Sequence, residues 1–487
     1  MKIIAILAGC FVFCMQIAHA QLCQGNFGDP IINADFGSGA NPGPPLSSGI
    51  TSYNFVNNDC PVDGEYAIRS NTQNCFGSTW HSLTSDHTGN TNGYMMVINA
   101  SYERGVFYTE TVRNLCAGTT FQFSAYLLNL LRNSTCTNTA ILPDITFLIE
   151  KADGTVIGSV DTGPVTSSSV PSWKQYGFVF TLPAGINDVV LKIKNNADGG
   201  CGNDIALDDI QFRPCGPSVF AGINGFTADT ISHCSGQPAR YVFSGTTTNF
   251  YSNPGYQWQQ FSNGSWADIP GANSLQYTVN FPAQALPGKY LYRLSTAETE
   301  NMASVKCRVS SQQLMINILE GPSVNAGPDK TIIAGDLVQL NGSASGDSIV
   351  HRWLNSSNIS DVNLLQPLVN PPADETYILQ VQSRAGCGTV EDAVFVKVFP
   401  DIYFPNTFTP DADGKNDRWI IKALEAFPAY ELKIYNRYGQ LIFSDSGSRI
   451  PWNGKYKGQD AEPGVYVYFF KPANSKRFKK GTLLLLR

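Results

Sequence analysis

Between Phe121 and Leu127 every second residue is apolar: Phe121, Phe123, Ala125 and Leu127 alternate with Gln122, Ser124 and Tyr126. A period of two places one set of side chains on each face of a β-strand and fits no helical face. Short segments of the same kind recur at Tyr94 to Asn99, Ile145 to Glu150, Gln175 to Leu182, Val189 to Ile193 and Ile205 to Phe212, separated by turn formers. Asp153-Gly154 between two of them predicts a hairpin with a type I′ turn. Composition fits: aromatic residues are 11% of the chain, with 44 Gly and 28 Pro. Charged residues are only 15%, against roughly 25% in an average soluble protein. This balance excludes a coiled coil, a disordered charged chain and a collagen-like repeat. It predicts an all-β chain of tandem antiparallel sandwiches.

The first twenty residues read as a secretory signal peptide, 1–20. Lys2 precedes an apolar stretch from Ile3 to Ile17, and Ala18-His19-Ala20 supplies a small-x-small cleavage site. A rival cut at Leu7-Ala8-Gly9-Cys10 would lipidate Cys10, with about seven apolar residues before it. No other run approaches the roughly 18 apolar residues of a membrane helix, so no transmembrane helix is expected in the mature chain. Once outside, ten of the 12 Cys remain as disulfide candidates. Seven of them, Cys23, Cys60, Cys75, Cys116, Cys136, Cys201 and Cys215, precede residue 217. One of these is therefore free or pairs elsewhere. No Cys-x-x-Cys occurs, which argues against a zinc ribbon or a thioredoxin-like centre. Residues 401–487 carry 14 Lys/Arg against 9 Asp/Glu, and the rest of the chain 19 against 30. Nucleic acid is not an expected partner, because its binding needs a dense basic face.

Four modules follow the leader. In residues 21–216, Asn33-Ala34-Asp35-Phe36 and Asn203-Asp204-Ile205-Ala206-Leu207-Asp208-Asp209-Ile210 resemble the first and last strands of extracellular jelly-roll modules, among them carbohydrate-binding modules and the MAM adhesion domain. The resemblance implies a structural calcium ion held by Asp208 or Asp209, with Asp35 of the first-strand motif as a further ligand. Calcium takes roughly six to eight oxygens. On the plain strand reading, the two adjacent Asp instead alternate, one solvated and one capping a turn. Residues 217–318 show the Cys234, Trp258, Cys307 order of an immunoglobulin-like sandwich. They depart from the antibody pattern, since Tyr292 stands where Cys would follow Tyr290. A Cys234–Cys307 disulfide would thus join other strands. Residues 319–399, with Asn341-Gly342-Ser343-Ala344-Ser345 ahead of Trp353, resemble PKD-type domains, which implies a spacer or adhesion module. Pro322 and Pro400 suit short, stiff junctions.

Residues 400–487 hold Phe404-Pro405-Asn406-Thr407-Phe408-Thr409-Pro410-Asp411-Ala412-Asp413-Gly414-Lys415-Asn416-Asp417. Then come Asn436-Arg437-Tyr438-Gly439, Trp452-Asn453-Gly454 and Pro463-Gly464-Val465-Tyr466. In this order they closely resemble the gliding-motility-associated C-terminal domain, the type B sorting signal of the type IX secretion system. The resemblance implies export to the outer cell surface or the medium, with the secretion machinery as partner. It makes Asp413, Gly414, Asn416, Asp417, Asn436, Arg437, Gly439, Trp452, Gly454, Gly464 and Tyr466 the sorting-motif residues. Family members commonly have Asn-Gly-Asp-Gly where this chain has Asp411-Ala412-Asp413-Gly414. Lys476, Arg477, Lys479 and Lys480 form a basic cluster beside the final strand, a contact for the machinery or simply edge protection. Asp411, Asp413 and Asp417 also suggest a calcium loop, though Lys422 stands where an EF-hand has its closing Glu.

No catalytic motif is found. The mature chain has His81, His87, His233 and His351, but no His-Glu-x-x-His, nucleophile elbow or phosphate-cradling loop. His81 and His87 are the best metal candidates, yet their spacing fits a polar loop better. The chain reads as a non-enzymatic adhesion or interaction protein with no cofactor other than structural calcium. The alternative is a glycan-binding protein, because jelly-roll modules stack sugar rings on exposed aromatics. Trp80 and Trp173 are then the ligand candidates, Trp173 after the Ser/Pro-rich loop 166–172. Asp229-Thr230-Ile231 and Asp347-Ser348-Ile349 also resemble O-glycosylation sites of exported Bacteroidetes proteins.

Overall fold

The computed structural model describes residues 22–136, 139–354, 357–473 and 478–487. The leader with Cys10 lies outside the described residues, as do Lys476 and Arg477. Described secondary structure is β-strand plus four short 3-10 turns, and among the described residues no helix is long and apolar enough to cross a membrane. The all-β expectation holds. The chain divides into two compact units: one runs to Ile231 and adds 240–280 and 289–316, the other comprises 232–239, 281–288 and 317–487.

The first unit is built on a two-sheet sandwich. The larger sheet orders its strands Asn54–Phe55, Glu65–Arg69, Met95–Asn99, Asp204–Pro214, Thr120–Asn129 and Lys174–Thr181, with Ile32–Ala34 also pairing Asp204–Pro214. The smaller sheet orders Val106–Val112, Val189–Asn195, Asp144–Glu150 and Val156–Pro164. The period-two pattern explains their packing. Phe121, Phe123, Ala125 and Leu127 are all fully buried and join Phe147, Ile149 and Leu191 of the facing sheet in one core. Phe123 meets Phe147 edge-on, ring centroids 5.4 Å apart, the geometry that aromatic quadrupoles favour. The hairpin between Asp144–Glu150 and Val156–Pro164 forms, but its turn is not type I′. That type needs positive φ at both central residues. Here Gly154 alone, at φ 84, is left-handed, and its amide closes a turn on the Lys151 carbonyl at 3.0 Å.

The same unit contains Val219–Ile223 and Pro254–Ser262, and, but for their first residues, the strands Ala239–Thr247 and Gly288–Glu298 that pair with them. Trp258 is fully buried there, 5.5 Å from Phe243, with its indole N–H on the Ser274 carbonyl at 3.0 Å. The Arg293 guanidinium grips both oxygens of Asp29 at 2.7 and 2.6 Å, tying a segment near the start of the described residues to a strand far away in sequence. Such forked pairs fix geometry as well as adding attraction.

In the second unit, Lys330–Ile333, Thr389–Phe399, Glu375–Ser383 and Ile349–Trp353 form one sheet over a core of Trp353, Tyr377, Leu379 and Val394. Thr407–Phe408, Lys479–Leu485, Gly464–Pro472, Tyr430–Tyr435 and Leu441–Asp445 form the C-terminal sheet.

Disulfides join Cys23–Cys215, Cys60–Cys75, Cys116–Cys307, Cys136–Cys201 and Cys234–Cys387. This corrects the Cys234–Cys307 expectation. Cys307 ends the 3-10 turn Val305–Cys307 rather than lying on a strand across the sandwich. It takes Cys116, the odd cysteine of the first seven, while Cys234 takes Cys387.

Candidate functional site

Strand Asp204–Pro214 runs between Met95–Asn99 and Thr120–Asn129 in the larger sheet. Ile205 and Leu207 enter the sandwich core, so Asp204, Ala206 and Asp208 face the opposite side. That side is roofed. Trp80 and Leu83 pack on Met95, Val97, Leu128 and Ala206 in a second, smaller core. Trp80 is only 3% exposed, and its indole N–H donates to Asp204 Oδ2 at 2.9 Å. The structure thus corrects Trp80 as a ligand platform: both ring faces are spent on packing. Burial pushes the Asp204 carboxyl up to about 8, against the opposing pull of the Trp80 N–H and the Ala100 amide. A carboxyl in an apolar setting keeps its proton, because the charged form loses its hydration.

A bulge follows. The register with Thr120–Asn129 shifts between Asp208 and Gln211, and Asp209 takes a left-handed backbone at φ 46. The bulge breaks the strict alternation of a strand. Both carboxylates therefore meet the segment at His87. Asp208 Oδ2 accepts the His87 amide at 3.0 Å, and its Oδ1 accepts the Asp209 amide at 2.8 Å. His87 Nδ1 lies 2.6 Å from Asp209 Oδ2. Burial, with the charge of Asp209 adding to it, raises Asp208 to about 7, and the His87 amide opposes the rise. The His87 ring stacks on Tyr126 with centroids 3.4 Å apart, and Trp173 stands edge-on at 6.1 Å. Trp173 is half-buried.

The donor atoms of His87, Asp208 and Asp209 lie within 4.8 Å of one another. Asp35 is not in this group; it is exposed and its Oδ1 caps the Gly37 amide. The donor set does not fit calcium, which wants oxygens throughout. One donor is an imidazole nitrogen, and both Asp208 oxygens already hold amides. His81 is buried apart from the group, and burial pushes its imidazole pKa down. His87 was legible only as a polar-loop residue. Its place became visible through the bulge, which period-two reasoning does not contain.

In the C-terminal module the sorting-motif residues fall into two sets. Trp452 and Trp419 are each 1% exposed, and the Trp419 amide bonds the Trp452 carbonyl at 2.8 Å. Tyr466 rests edge-on against Trp452 at 5.0 Å. Gly454 has φ 73, and a Cβ there would meet Pro410 Cγ at 2.6 Å. Asp417 closes the acidic turn: its Oδ1 takes the Ala412 amide at 2.7 Å and its Oδ2 the Gly414 amide at 2.8 Å. Asp413 Oδ1 accepts the Lys415 amide at 2.7 Å, and Asn416 is left-handed at φ 54. These residues build the frame. Asp411, Asp413 and Asp417 do converge, held by that amide network. The second set is outward. Asn436 Oδ1 holds the turn to Gly439 through the Tyr438 and Gln440 amides, each at 3.0 Å. Arg437 lies 4.8 Å over the exposed Tyr438 ring. Gly464 opens the strand that carries Tyr466.

No curated protein matches the chain. Among solved structures it is similar to the enzymatically active domain of bacteriophage CBA120 tailspike protein 4, at 12% identity and TM-score 0.21, over 32% of this chain and 18% of that one. The chain thus spans about a fifth of the tailspike's length. It is also similar to the titin I-band fragment I67–I69, at 13% identity and TM-score 0.26, over 56% of this chain and 99% of that one. Drosophila N-cadherin EC1-4 is similar at 10% identity and TM-score 0.17, over 70% and 91%. Residues 402–485 match the family described as the CHU_C Type IX secretion signal domain, so this chain carries at its C-terminal end a signal for export through the type IX secretion system.

Proposed function

We propose that this chain is a non-enzymatic interaction protein, displayed on the cell surface or released after type IX export. Residues 21–216 are its effector module, and 217–318 and 319–399 are its spacers. The observation that supports this is the C-terminal domain, whose motif residues build a closed Trp419–Trp452 frame and leave Arg437 and Tyr438 outside. The perturbed carboxyls of the first module support a binding role over catalysis. Asp204 and Asp208 are engaged by an indole and by backbone amides. The test is fractionation of cells producing the full chain or a chain lacking 402–485. Loss of the protein from surface and medium is expected on deletion; equal export of both forms refutes the reading.

A second reading, glycan capture, is favoured by the rings of His87, Tyr126 and Trp173 beside Asp209. An aromatic face with a carboxylate rim suits a sugar ring and its hydroxyls. On a glycan array the mature chain then binds, and Trp173→Ala does not. Binding retained in that variant removes the site.

A further inference from the structure

The C-terminal sheet has two apolar faces and only one is covered. Along Gly464–Pro472, Tyr466 and Phe470 point into the core with Leu432 and Ile434 of the next strand. Alternation sends Val465, Val467 and Phe469 to the other side. The register continues that outer row: Val467 lies opposite Tyr435, and Tyr435 opposite Leu441. Phe469 is flanked edge-on by the Tyr435 ring at 5.8 Å and by the Phe478 ring, tilted by 33°, at 6.3 Å. In the whole chain Val465 remains 55% exposed, Phe478 56%, Leu441 41% and Phe469 39%. A contiguous apolar patch left in water marks an interaction surface.

At the Phe469 end its border is positive on balance. Lys433 and Lys480 both lie opposite Phe469 in the register, and Lys471 lies opposite Glu431. Glu431 pairs with Lys433, so this rim holds three lysines and one carboxylate. We infer that this outer sheet face is the docking surface of the export signal. Its occupant is a protein of the outer-membrane secretion machinery that presents an apolar patch bordered by Asp and Glu. The inference rests on the export reading and adds which face is read. The charged rim steers and orients the encounter, and the aromatic row supplies the contact.

The test uses the full chain in its producing cells with two variants. One is Val465→Ser with Phe469→Ser; the other is Lys433→Glu, Lys471→Glu and Lys480→Glu. Purified, both should keep the melting temperature of the Trp419–Trp452 frame within a few degrees, because only outward positions change. In cells each should lower the exported fraction by about tenfold or more, with folded protein held in the periplasm. A photo-crosslinking residue at Val467 should capture an envelope protein in the parent and lose it in both variants. If both variants are exported normally while deletion of 402–485 blocks export, the face is wrong and the export reading stands. If the deletion itself leaves export intact, both fall. A patch that instead drives self-association, or binding to protein-free lipid vesicles, also overturns the assignment.

Discussion

Replacing Asp204 by Asn should flatten the pH dependence of the first unit's stability. In the native chain Asp204 is 4% exposed and holds its proton up to about pH 8, whereas its ordinary value is 3.8. Between those values the folded form keeps the proton and the unfolded form has released it. Unfolding therefore releases a proton, and stability must fall as pH rises through that window, then level off above pH 8. Each pH unit is worth about 1.4 kcal/mol for one group. From pH 5 to pH 8 the loss from Asp204 is thus at most about 4 kcal/mol, less where water reaches the opened site. An Asn keeps an oxygen for the Trp80 N–H and carries no titrating proton. The assay is the difference in melting temperature between parent and Asp204→Asn at pH 5, 7 and 9. The variant should be close to the parent at pH 5 and clearly more stable at pH 9. A residual slope up to about pH 7 should persist, from Asp208. A Trp80→Phe change removes a donor that lowers the Asp204 value, so it should move the levelling point upward. A constant parent–variant difference across the three pH values would refute the reasoning, since it would mean that Asp204 ionises in the fold as it does in water.

Other consequences are as direct. Non-reducing peptide mapping of the purified protein should recover Cys116 linked to Cys307 and Cys234 linked to Cys387; a Cys234–Cys307 peptide would contradict the fold. Removing the first of these with Cys116→Ser and Cys307→Ser should cost about 2–5 kcal/mol, read by denaturant unfolding. Asp417→Ala strips two amides of their acceptor and should destabilise the C-terminal module by about 1–3 kcal/mol, with protease cleavage appearing in 409–417. Gly454→Ala forces a Cβ onto Pro410 at a left-handed position and should lower the module's melting temperature, whereas Gly458→Ala, also left-handed but with open space around it, should do so less.

Much of the fold was legible because its information is local. The alternation from Phe121 to Leu127 sets which face is buried, and nothing distant is needed to read it. The C-terminal domain was legible for a similar reason: Gly454, Asp417 and the two Trp serve contacts within one small module. Disulfide pairing was not, since Cys116 meets Cys307 only after separate strands have packed. The site around Asp208 failed at a single backbone angle. One left-handed residue, Asp209, turns two neighbours toward the same segment, and the Asp35 partnership implied by the jelly-roll resemblance gives way to His87. Trp80 shows the limit for aromatics, because a ring's type does not say whether a loop will cover it.

The disulfides also form a chain of their own. Cys23 is tied to Cys215, and Cys234 to Cys387. Under tension between residue 23 and residue 387, force passes through the two sulfur bridges and the roughly 19 backbone steps between Cys215 and Cys234. At about 3.3–3.6 Å per residue, that tether can lengthen to roughly 70 Å. With every disulfide reduced, Cys60–Cys75 and Cys116–Cys307 included, the same span would pay out to more than about 1,000 Å. An exported protein wired this way behaves under shear as a short, nearly inextensible leash, and one reductant would convert it into a long spring.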